Sequence, residues 1–169
     1  MSRNTMNVPL SAAKMFQYSL ATKRYLREHI RDTAELINPK EKLITDLVGK
    51  EYFKARFRLS EDESLKIAHK ATYRGMKYAA GTFVVVGINR YGLPVFRCIV
   101  YFTERDGKIH LITRKVNTTD FSMRLQAYGI YFKNEFQEFV FEELKDFRPL
   151  DAFQLNERLV VPLRYKILH

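Results

Sequence analysis

The sequence predicts an α+β fold that is mainly β and is centred on a small, strongly bent, five-stranded antiparallel barrel. Three observations predict this fold. From residue 82 onward the apolar residues recur with a period of two, which is typical of strands with one buried face. Turn-forming residues divide that half of the chain into short runs. Two earlier stretches, which begin near residues 11 and 60, carry the signals that start helices.

The first predicted element is a helix over residues 11–36. Ser11, which follows Pro9, can cap this helix, and apolar residues recur within it at three- and four-residue spacing. Asn38-Pro39 ends it, because the residue before a proline disfavours the α region. The charged face carries residues of both signs, which favours a solvated, self-paired surface over a site for RNA or an acidic partner.

The second element is predicted as a half-buried strand over residues 50–59. Its side chains alternate between two faces, with Tyr52, Lys54, Arg56 and Arg58 on one and Phe53, Ala55, Phe57 and Leu59 on the other. The basic face fits either the protection of an exposed strand by lysine or contact with phosphates.

A long helix is predicted over residues 60–80. Ser60 and Glu63 can form a capping box, acidic residues fall in the first turn where the helix dipole favours them, and Gly81 can close the helix. One side of this helix is apolar and the other is basic. The apolar side holds Leu65, Ala68, Thr72 and Ala79, and the other side holds Lys66, Lys70, Tyr73, Arg74 and Lys77.

Five strands are predicted after this helix, over residues 82–88, 95–102, 108–114, 121–128 and 135–144. The predicted turns lie at Arg90-Tyr91-Gly92, at Asp106-Gly107 and at Gly129, and the Asp-Gly pair is a strong hairpin signal. Residues 143–150 are predicted as one helical turn that leads into a loop. Residues 158–168 are predicted as a last strand, in which Pro162 favours an edge or a bulge.

The chain carries a net charge of +10, which suggests a polyanionic partner. The excess lies mainly in the N-terminal third, where twelve basic residues precede Ser60 against six acidic ones. The basic residues of the predicted strand and long helix are therefore candidates for contact with nucleic acid. They are Lys54, Arg56, Arg58, Lys66, Lys70, Arg74 and Lys77.

No catalytic or metal-binding motif occurs in the sequence. The four histidines lie apart, without cysteine or carboxylate partners at ligand spacing, and there is no glycine-rich phosphate loop or nucleophile elbow. We therefore predict no enzyme activity, no metal and no cofactor. The single cysteine, Cys98, lies in an apolar run and fits a reducing compartment. No stretch is long and apolar enough to span a bilayer.

The run from Gly81 to Leu150 resembles a Tudor domain. VFRCIVYF stands where the family has its Trp-Tyr-Arg-Ala-like second strand, and RLQAYGIYF stands at the Asp-Tyr-Gly-Asn corner. FVFEELKDFRPL resembles the closing strand, short helix and exit of the family. With the flanking strands and helix, residues 50–169 resemble an extended Tudor domain, in which a Tudor barrel interrupts a staphylococcal-nuclease-like β-barrel. Residues 1–49 are then an N-terminal helical extension.

In that family, aromatic residues at one end of the barrel form a cage that receives a methylated arginine through cation–π attraction. The resemblance places Phe96 at the aromatic position of the second strand and Tyr128 at the corner tyrosine, with Tyr91 as a third wall. Leu125 stands where the family has an aromatic residue, and Ile130 stands where it has an asparagine. A partial cage is therefore implied, and ordinary barrel packing of Phe96 and Tyr128 is the alternative.

The functional prediction is a non-catalytic protein-interaction module that binds a partner peptide, with arginine-rich segments as one class of partner. The resemblance implies an RNA-related assembly, such as a small-RNA pathway or a ribonucleoprotein granule, and a cytoplasmic or perinuclear location. The alternative function is direct binding of single-stranded nucleic acid through the basic face. A nuclease is disfavoured, because the acidic metal ligands that such an enzyme needs are sparse over residues 50–59.

Overall fold

The computed structural model describes residues 33–163, and this part of the chain is mainly β, as predicted. It contains twelve strands, one α-helix and two short 3-10 helices. In chain order the elements are β1 (Ala34–Ile37), β2 (Lys40–Leu43), a 3-10 helix (Ile44–Asp46), α1 (Lys50–Phe57), β3 (Ser64–Ala68), β4 (Lys70–Tyr73), β5 (Met76–Ala79), β6 (Phe83–Ile88), β7 (Pro94–Arg105), β8 (Lys108–Ser122), β9 (Ala127–Val140), a 3-10 helix (Phe141–Glu143), β10 (Asp146–Leu150), β11 (Phe153–Leu155) and β12 (Arg158–Pro162).

The largest sheet has nine antiparallel strands and is curled into a half-barrel. Its main path runs β10-β6-β7-β8-β9-β12-β11, and β3 joins it at β7 with β2 on the outer side. Strands β10 and β11 stand at opposite ends of this path, yet only residues 151–152 separate them in the chain. This two-residue link keeps Leu150 and Phe153 within about 11 Å of each other. Because the two ends of the sheet path are therefore close in space, the sheet must curl.

A three-stranded sheet, β1-β4-β5, packs on one face of the half-barrel. The rings of Tyr73 and Tyr78 lie 4.5 and 5.0 Å from the ring of Phe141, and all three are buried. The Tyr78 hydroxyl donates a hydrogen bond to the Phe147 carbonyl oxygen in β10. This bond fixes the small sheet to one end of the large one.

Helix α1 covers the opposite face. Phe53 and Phe57 are buried against Tyr101 of β7, whose ring lies 5.4 Å from that of Phe53. The next residue, Phe102, belongs to the core under the three-stranded sheet. Since successive strand residues point to opposite faces, the two cores lie on opposite sides of the sheet. A third core, around Phe96 at the other end of the strands, joins β6 and β7 to β8, β9 and β12.

Two of the predicted N-terminal elements are wrong where the structure describes them. Residues 11–32 of the first predicted helix lie outside the described residues, but residues 34–37 form β1, which pairs with β4. The predicted strand over residues 50–59 is helix α1. Phe53 and Phe57 are four residues apart, a spacing that places them on one face of a helix as well as of a strand. Both rings are buried while Ala55 between them is exposed, and a strand would have buried all three side chains.

The predicted long helix over residues 60–80 is also wrong, since β3, β4 and β5 occupy that stretch. The Ser60–Glu63 pair does form, with the Ser60 N–H donating to Glu63 Oε2 at 3.0 Å, but it closes a turn instead of starting a helix. Arg74 and Gly75 take positive φ angles of 51° and 76° and link β4 to β5 as a two-residue hairpin.

In the second half, the first two strands and the Asp106–Gly107 hairpin are confirmed. The strand predicted over residues 121–128 is wrong, because residues 123–126 form the turn between β8 and β9. The turn predicted at Gly129 is wrong too, since Gly129 lies within β9. The strand predicted over residues 135–144 covers only the second half of β9 and the 3-10 helix after it. Residues 146–150 are a strand, not a loop, and the final strand is confirmed up to Pro162.

Candidate functional site

Two exposed loops lie at the same end of the half-barrel. In an antiparallel meander alternate connections emerge at the same end, which places the β6–β7 loop (residues 89–93) beside the β8–β9 loop (residues 123–126). The Thr118 hydroxyl donates a 2.9 Å hydrogen bond to the Pro94 carbonyl oxygen and ties the two hairpins together. We call the apolar side chains gathered there the loop-end surface: Tyr91, Phe121, Met123, Leu125 and Tyr128.

The β6–β7 loop holds Tyr91 away from the core. The Asn89 side-chain oxygen accepts hydrogen bonds from the N–H groups of Tyr91 at 2.9 Å and Leu93 at 3.0 Å, and Gly92 takes a φ of 78°. This side-chain turn leaves Tyr91 71% exposed. The Arg90 guanidinium lies 4.8 Å from the centre of the Tyr91 ring, so the ring already accepts a cation on one face.

The β8–β9 loop exposes two further apolar side chains, Met123 at 74% and Leu125 at 41%. Ser122 Oγ accepts a 3.3 Å hydrogen bond from the Leu125 N–H, and Gln126 Nε2 donates to the Met123 carbonyl oxygen at 2.8 Å. These bonds hold the loop internally. The two large apolar side chains therefore face solvent on an ordered turn.

Tyr128 forms the floor of the loop-end surface. Its half-buried ring lies 4.8 Å from the Phe121 ring and 5.8 Å from the Phe96 ring. Phe96 is fully buried and Ile130 is 5% exposed in the same core.

The structure therefore brings three of the five predicted cage residues together as core packing and leaves the other two, Tyr91 and Leu125, on the rim. Within residues 33–163 the ring of Tyr91 makes no contact with another aromatic ring. The missed residues are Phe121 and Met123. They stand in the predicted strand over residues 121–128, whose alternating pattern conceals an exposed turn.

Three of the seven basic candidates for nucleic-acid contact are paired with carboxylates, which offsets their charge. The pairs are Lys54–Glu61 at 2.5 Å, Arg56–Glu138 at 2.6 Å and Lys66–Glu104 at 3.3 Å. The hydrogen bond between the first pair raises the pKa of Lys54 and lowers the pKa of Glu61. The predicted continuous basic strand face is absent from the described residues, because its stretch is helical.

The other four basic candidates lie apart from these pairs. Arg58 is exposed at the end of α1, and the Arg74 guanidinium lies 4.6 Å from the centre of the Phe147 ring. Lys70 and Lys77 lie on the outer face of the three-stranded sheet, where they line a groove of about 310 Å³. Its remaining walls are Ile37, Tyr78, Ala79, Thr82, Pro149 and Asp151.

One largely buried carboxylate, that of Glu138, sits between the Arg56 guanidinium and the His110 ring. Glu138 Oε1 lies 2.6 Å from Arg56 Nε, and Glu138 Oε2 lies 3.1 Å from His110 Nδ1. The Glu138 N–H donates to the Tyr52 hydroxyl at 3.0 Å, and the Phe57 ring stands edge-on to His110. The cluster joins α1 to β8 and β9. These contacts hold the helix against the sheet.

Two further observations limit the chemistry of the described part of the chain. Residues 33–163 contain no group of three or more histidine, cysteine or acidic side chains that could hold a metal ion. Burial raises the pKa of the Cys98 thiol to about 11, so this thiol is protonated at neutral pH.

Within residues 33–163, no helix has the length and apolar character needed to cross a membrane.

Comparisons with family models, with curated proteins and with solved structures found no match to this chain.

Proposed function

We propose that this protein is a non-catalytic protein-interaction module that binds a peptide segment of a partner at the loop-end surface. One observation carries the proposal: the connections of two adjacent hairpins at one end of the half-barrel each expose large side chains, Tyr91 on one and Met123 and Leu125 on the other. Large apolar and aromatic side chains that are held outward on ordered loops are typical of interaction sites. The proposal keeps three of the residues that the Tudor resemblance implied for a peptide site, Tyr91, Leu125 and Tyr128.

The proposed mode of binding combines apolar contacts with one stacked arginine. The guanidinium group of a partner arginine lies on the Tyr91 ring, without a complete aromatic cage around it. Phe96 and Ile130 are buried and present no open wall, so a partner arginine would stack on Tyr91, where Arg90 now lies 4.8 Å away. A single exposed cation–π contact contributes about 0.5–1 kcal/mol. That energy is too small for strong selection of a methylated arginine, so unmodified and methylated segments should bind about equally. The resemblance alone supports an RNA-related cytoplasmic assembly as the setting.

The test is a fluorescence-anisotropy titration with an Arg-Gly-rich peptide, unmodified and symmetrically dimethylated, at low and at high salt. We expect similar affinities for the two peptides and little change with salt. Tyr91→Ala and Leu125→Ala should each weaken binding about fivefold, which corresponds to about 1 kcal/mol. Val48→Ala is the matched control, because the exposure of Val48, 61%, lies between those of Leu125 and Tyr91 and Val48 lies beside α1.

Two outcomes would overturn the proposal. If Tyr91→Ala and Leu125→Ala bind like the wild type, the loop-end surface is not the site. If affinity collapses at high salt for both peptides, only charge is being sensed. A strong preference for the dimethylated peptide would instead show that a working cage forms, contrary to the buried positions of Phe96 and Ile130.

The second candidate function is direct binding of nucleic acid, and the groove between β5 and β10 favours it. Lys70 and Lys77 line this groove and make no ion pair within residues 33–163, unlike Lys54, Arg56 and Lys66. Phosphates that bind there would release counterions, so affinity for a single-stranded RNA would fall steeply with salt. Lys70→Gln with Lys77→Gln should reduce that salt slope, and an unchanged slope would exclude the groove as the contact.

A further inference from the structure

The two loops of the loop-end surface carry charges of one sign only. Arg90 and Arg124 are both exposed, and neither makes an ion pair within residues 33–163. The two stretches that hold the loops, residues 88–94 and 121–128, contain no aspartate or glutamate. The surface therefore combines exposed apolar side chains with two cations that no ion pair of the described residues neutralises.

The acidic residue that is nearest to these loops in the chain already has a partner. Asp120 precedes Phe121 and pairs with Arg158 of β12. A Cβ atom at Gly129 would lie 2.7 Å from Arg158 Nε and 2.6 Å from Thr119 Oγ1, so this ion pair lies over the strands β9 and β12. Because the two charges cancel, the pair adds no net charge to the loop-end surface.

The hairpin at the opposite end of the strands carries both signs of charge. The β7–β8 hairpin has Arg105 and Lys108 beside Glu104 and Asp106. Glu104 pairs with Lys66 at 3.3 Å, and Asp106 lies 3.9 Å from Arg105. The positive excess of the whole chain lies mainly in its N-terminal third. The unpaired cations of the loop-end surface are therefore a local feature of that end.

Arg90 sets a charge condition on any arginine that stacks on Tyr91. The Arg90 guanidinium lies 4.8 Å from the centre of the Tyr91 ring. A partner arginine on the same ring would stand close to Arg90, and like charges repel each other at that separation. A carboxylate on the partner segment removes the repulsion, because it pairs with Arg90 and with the incoming guanidinium.

The side chains beside the two arginines fit a polypeptide better than a nucleic acid. Single strands bind to platforms of aromatic rings on which successive bases stack. At the loop-end surface only Tyr91 presents an exposed ring, whereas Phe121 and Tyr128 are half-buried. Met123 and Leu125 are aliphatic and are 74% and 41% exposed, which suits contact with the apolar side chains of a protein segment.

We propose that the segment bound at the loop-end surface is acidic, with an apolar anchor flanked by carboxylates. This inference rests on the proposed function and specifies the class of partner. The anchor contacts Met123 and Leu125, and the carboxylates pair with Arg90 and Arg124. A segment that contains arginine but no acidic residue binds less tightly, because every charge that it brings has the sign of the surface.

The experiment is a selection of random peptides of about twelve residues, displayed on phage, against the whole protein. Enriched peptides that lose affinity with Leu125→Ala are resynthesised with each acidic residue replaced by its amide, and binding is measured by anisotropy. We expect an excess of acidic residues, and amide versions that bind about tenfold more weakly. Arg124→Gln should weaken binding of the acidic peptides about fivefold. Lys108→Gln, on the exposed β7–β8 hairpin at the opposite end, is the matched control and should bind like the wild type.

The outcomes separate this inference from the proposed function. If peptides that depend on Leu125 carry no acidic excess, or if their amide versions bind equally well, the inference is wrong and the proposed function stands. If no enriched peptide responds to Leu125→Ala or Tyr91→Ala, the proposed function fails and the inference fails with it. If only an oligouridylate RNA binds with an affinity that depends on Leu125, the surface takes phosphates and the inference is overturned.

Discussion

Replacing Glu138 by glutamine should destabilise the protein measurably, because this carboxylate joins helix α1 to the sheet. Its side chain is only 11% exposed and contacts Arg56 at 2.6 Å and His110 at 3.1 Å. The glutamine amide keeps the size of the carboxylate but loses its charge. It also replaces one of the two acceptor oxygens with a donor, so one of the two contacts loses its acceptor.

The magnitude follows from how well each partner is solvated. Hydrogen bonds to charged groups contribute about 1.5–3 kcal/mol when they are buried. The Arg56 side chain is 60% exposed, so water solvates its guanidinium when the carboxylate is lost. Its ion pair with Glu138 therefore contributes roughly 0.2–1 kcal/mol to stability, as surface ion pairs do. His110 Nδ1 lies near Glu138 Oε2, but neither atom has a hydrogen-bond partner, so this contact adds little to that of Arg56. We therefore expect Glu138→Gln to lower the free energy of unfolding by about 1 kcal/mol, or about 2–4 °C in Tm.

The assay is urea-induced unfolding followed by far-ultraviolet circular dichroism, since the chain has no tryptophan. Glu135→Gln is the matched control on the same strand, because Glu135 is 60% exposed and pairs with Lys115 at 3.2 Å. That control should cost about 0.5 kcal/mol or less. Equal unfolding midpoints for the two variants would refute the reasoning, because burial of the carboxylate would then add nothing over a surface pair.

Three further predictions concern the cores. Tyr78→Phe should cost about 1–3 kcal/mol in urea unfolding, because the Phe147 carbonyl oxygen loses its donor; a neutral result would mean that water replaces the hydroxyl. Phe141→Ala should cost about 3–5 kcal/mol by the same measurement, and a smaller loss would mean that the core collapses into the space. Burial raises the pKa of Cys98 from 9.0 to about 11 and also raises that of Tyr101, so the folded protein keeps protons that the unfolded chain releases. Stability should therefore fall as pH rises above about 9, by up to about 1.4 kcal/mol per group and pH unit, and Cys98→Ala should reduce the slope of the urea midpoint against pH.

The strand half of the fold could be predicted from the sequence where turn chemistry was unambiguous. Asp106-Gly107 was interpreted correctly, because both residues tolerate the positive φ angles of 51° and 74° that the hairpin requires. Arg74-Gly75 adopts the same geometry, with φ angles of 51° and 76°, but arginine is not a typical residue at that position. The surrounding capping-box pattern then favoured a helix. Burial of Tyr73 and Tyr78 under the sheet outweighed the local preference.

Gly129 shows why the candidate site could be predicted only in part. A glycine after an alternating run suggests a turn, but the turn comes earlier, at residues 123–126, and the Arg158 side chain lies over Gly129 within a strand. Arg158 is 29 positions away in the sequence, so no local pattern reveals that contact. The predicted turn at Gly129 therefore lies after the real turn in the chain. The cage residues Tyr91 and Leu125 do lie on loops at one end, whereas the burial of Phe96 depends on β12, which pairs with β9 from a distance.

The position of β12 has a consequence for synthesis. β12 fills the place between β9 and β11, so β9 keeps an open edge until the ribosome has delivered residues 158–162. During that interval β6 to β10 can already pair with one another, while the backbone groups of residues 127–130 remain without their partner strand. Such an edge is a template for pairing with other chains. The last described strand therefore protects the nascent sheet from aggregation as well as completing it, and a chain that stops before residue 158 should be held by chaperones or lost to insoluble material.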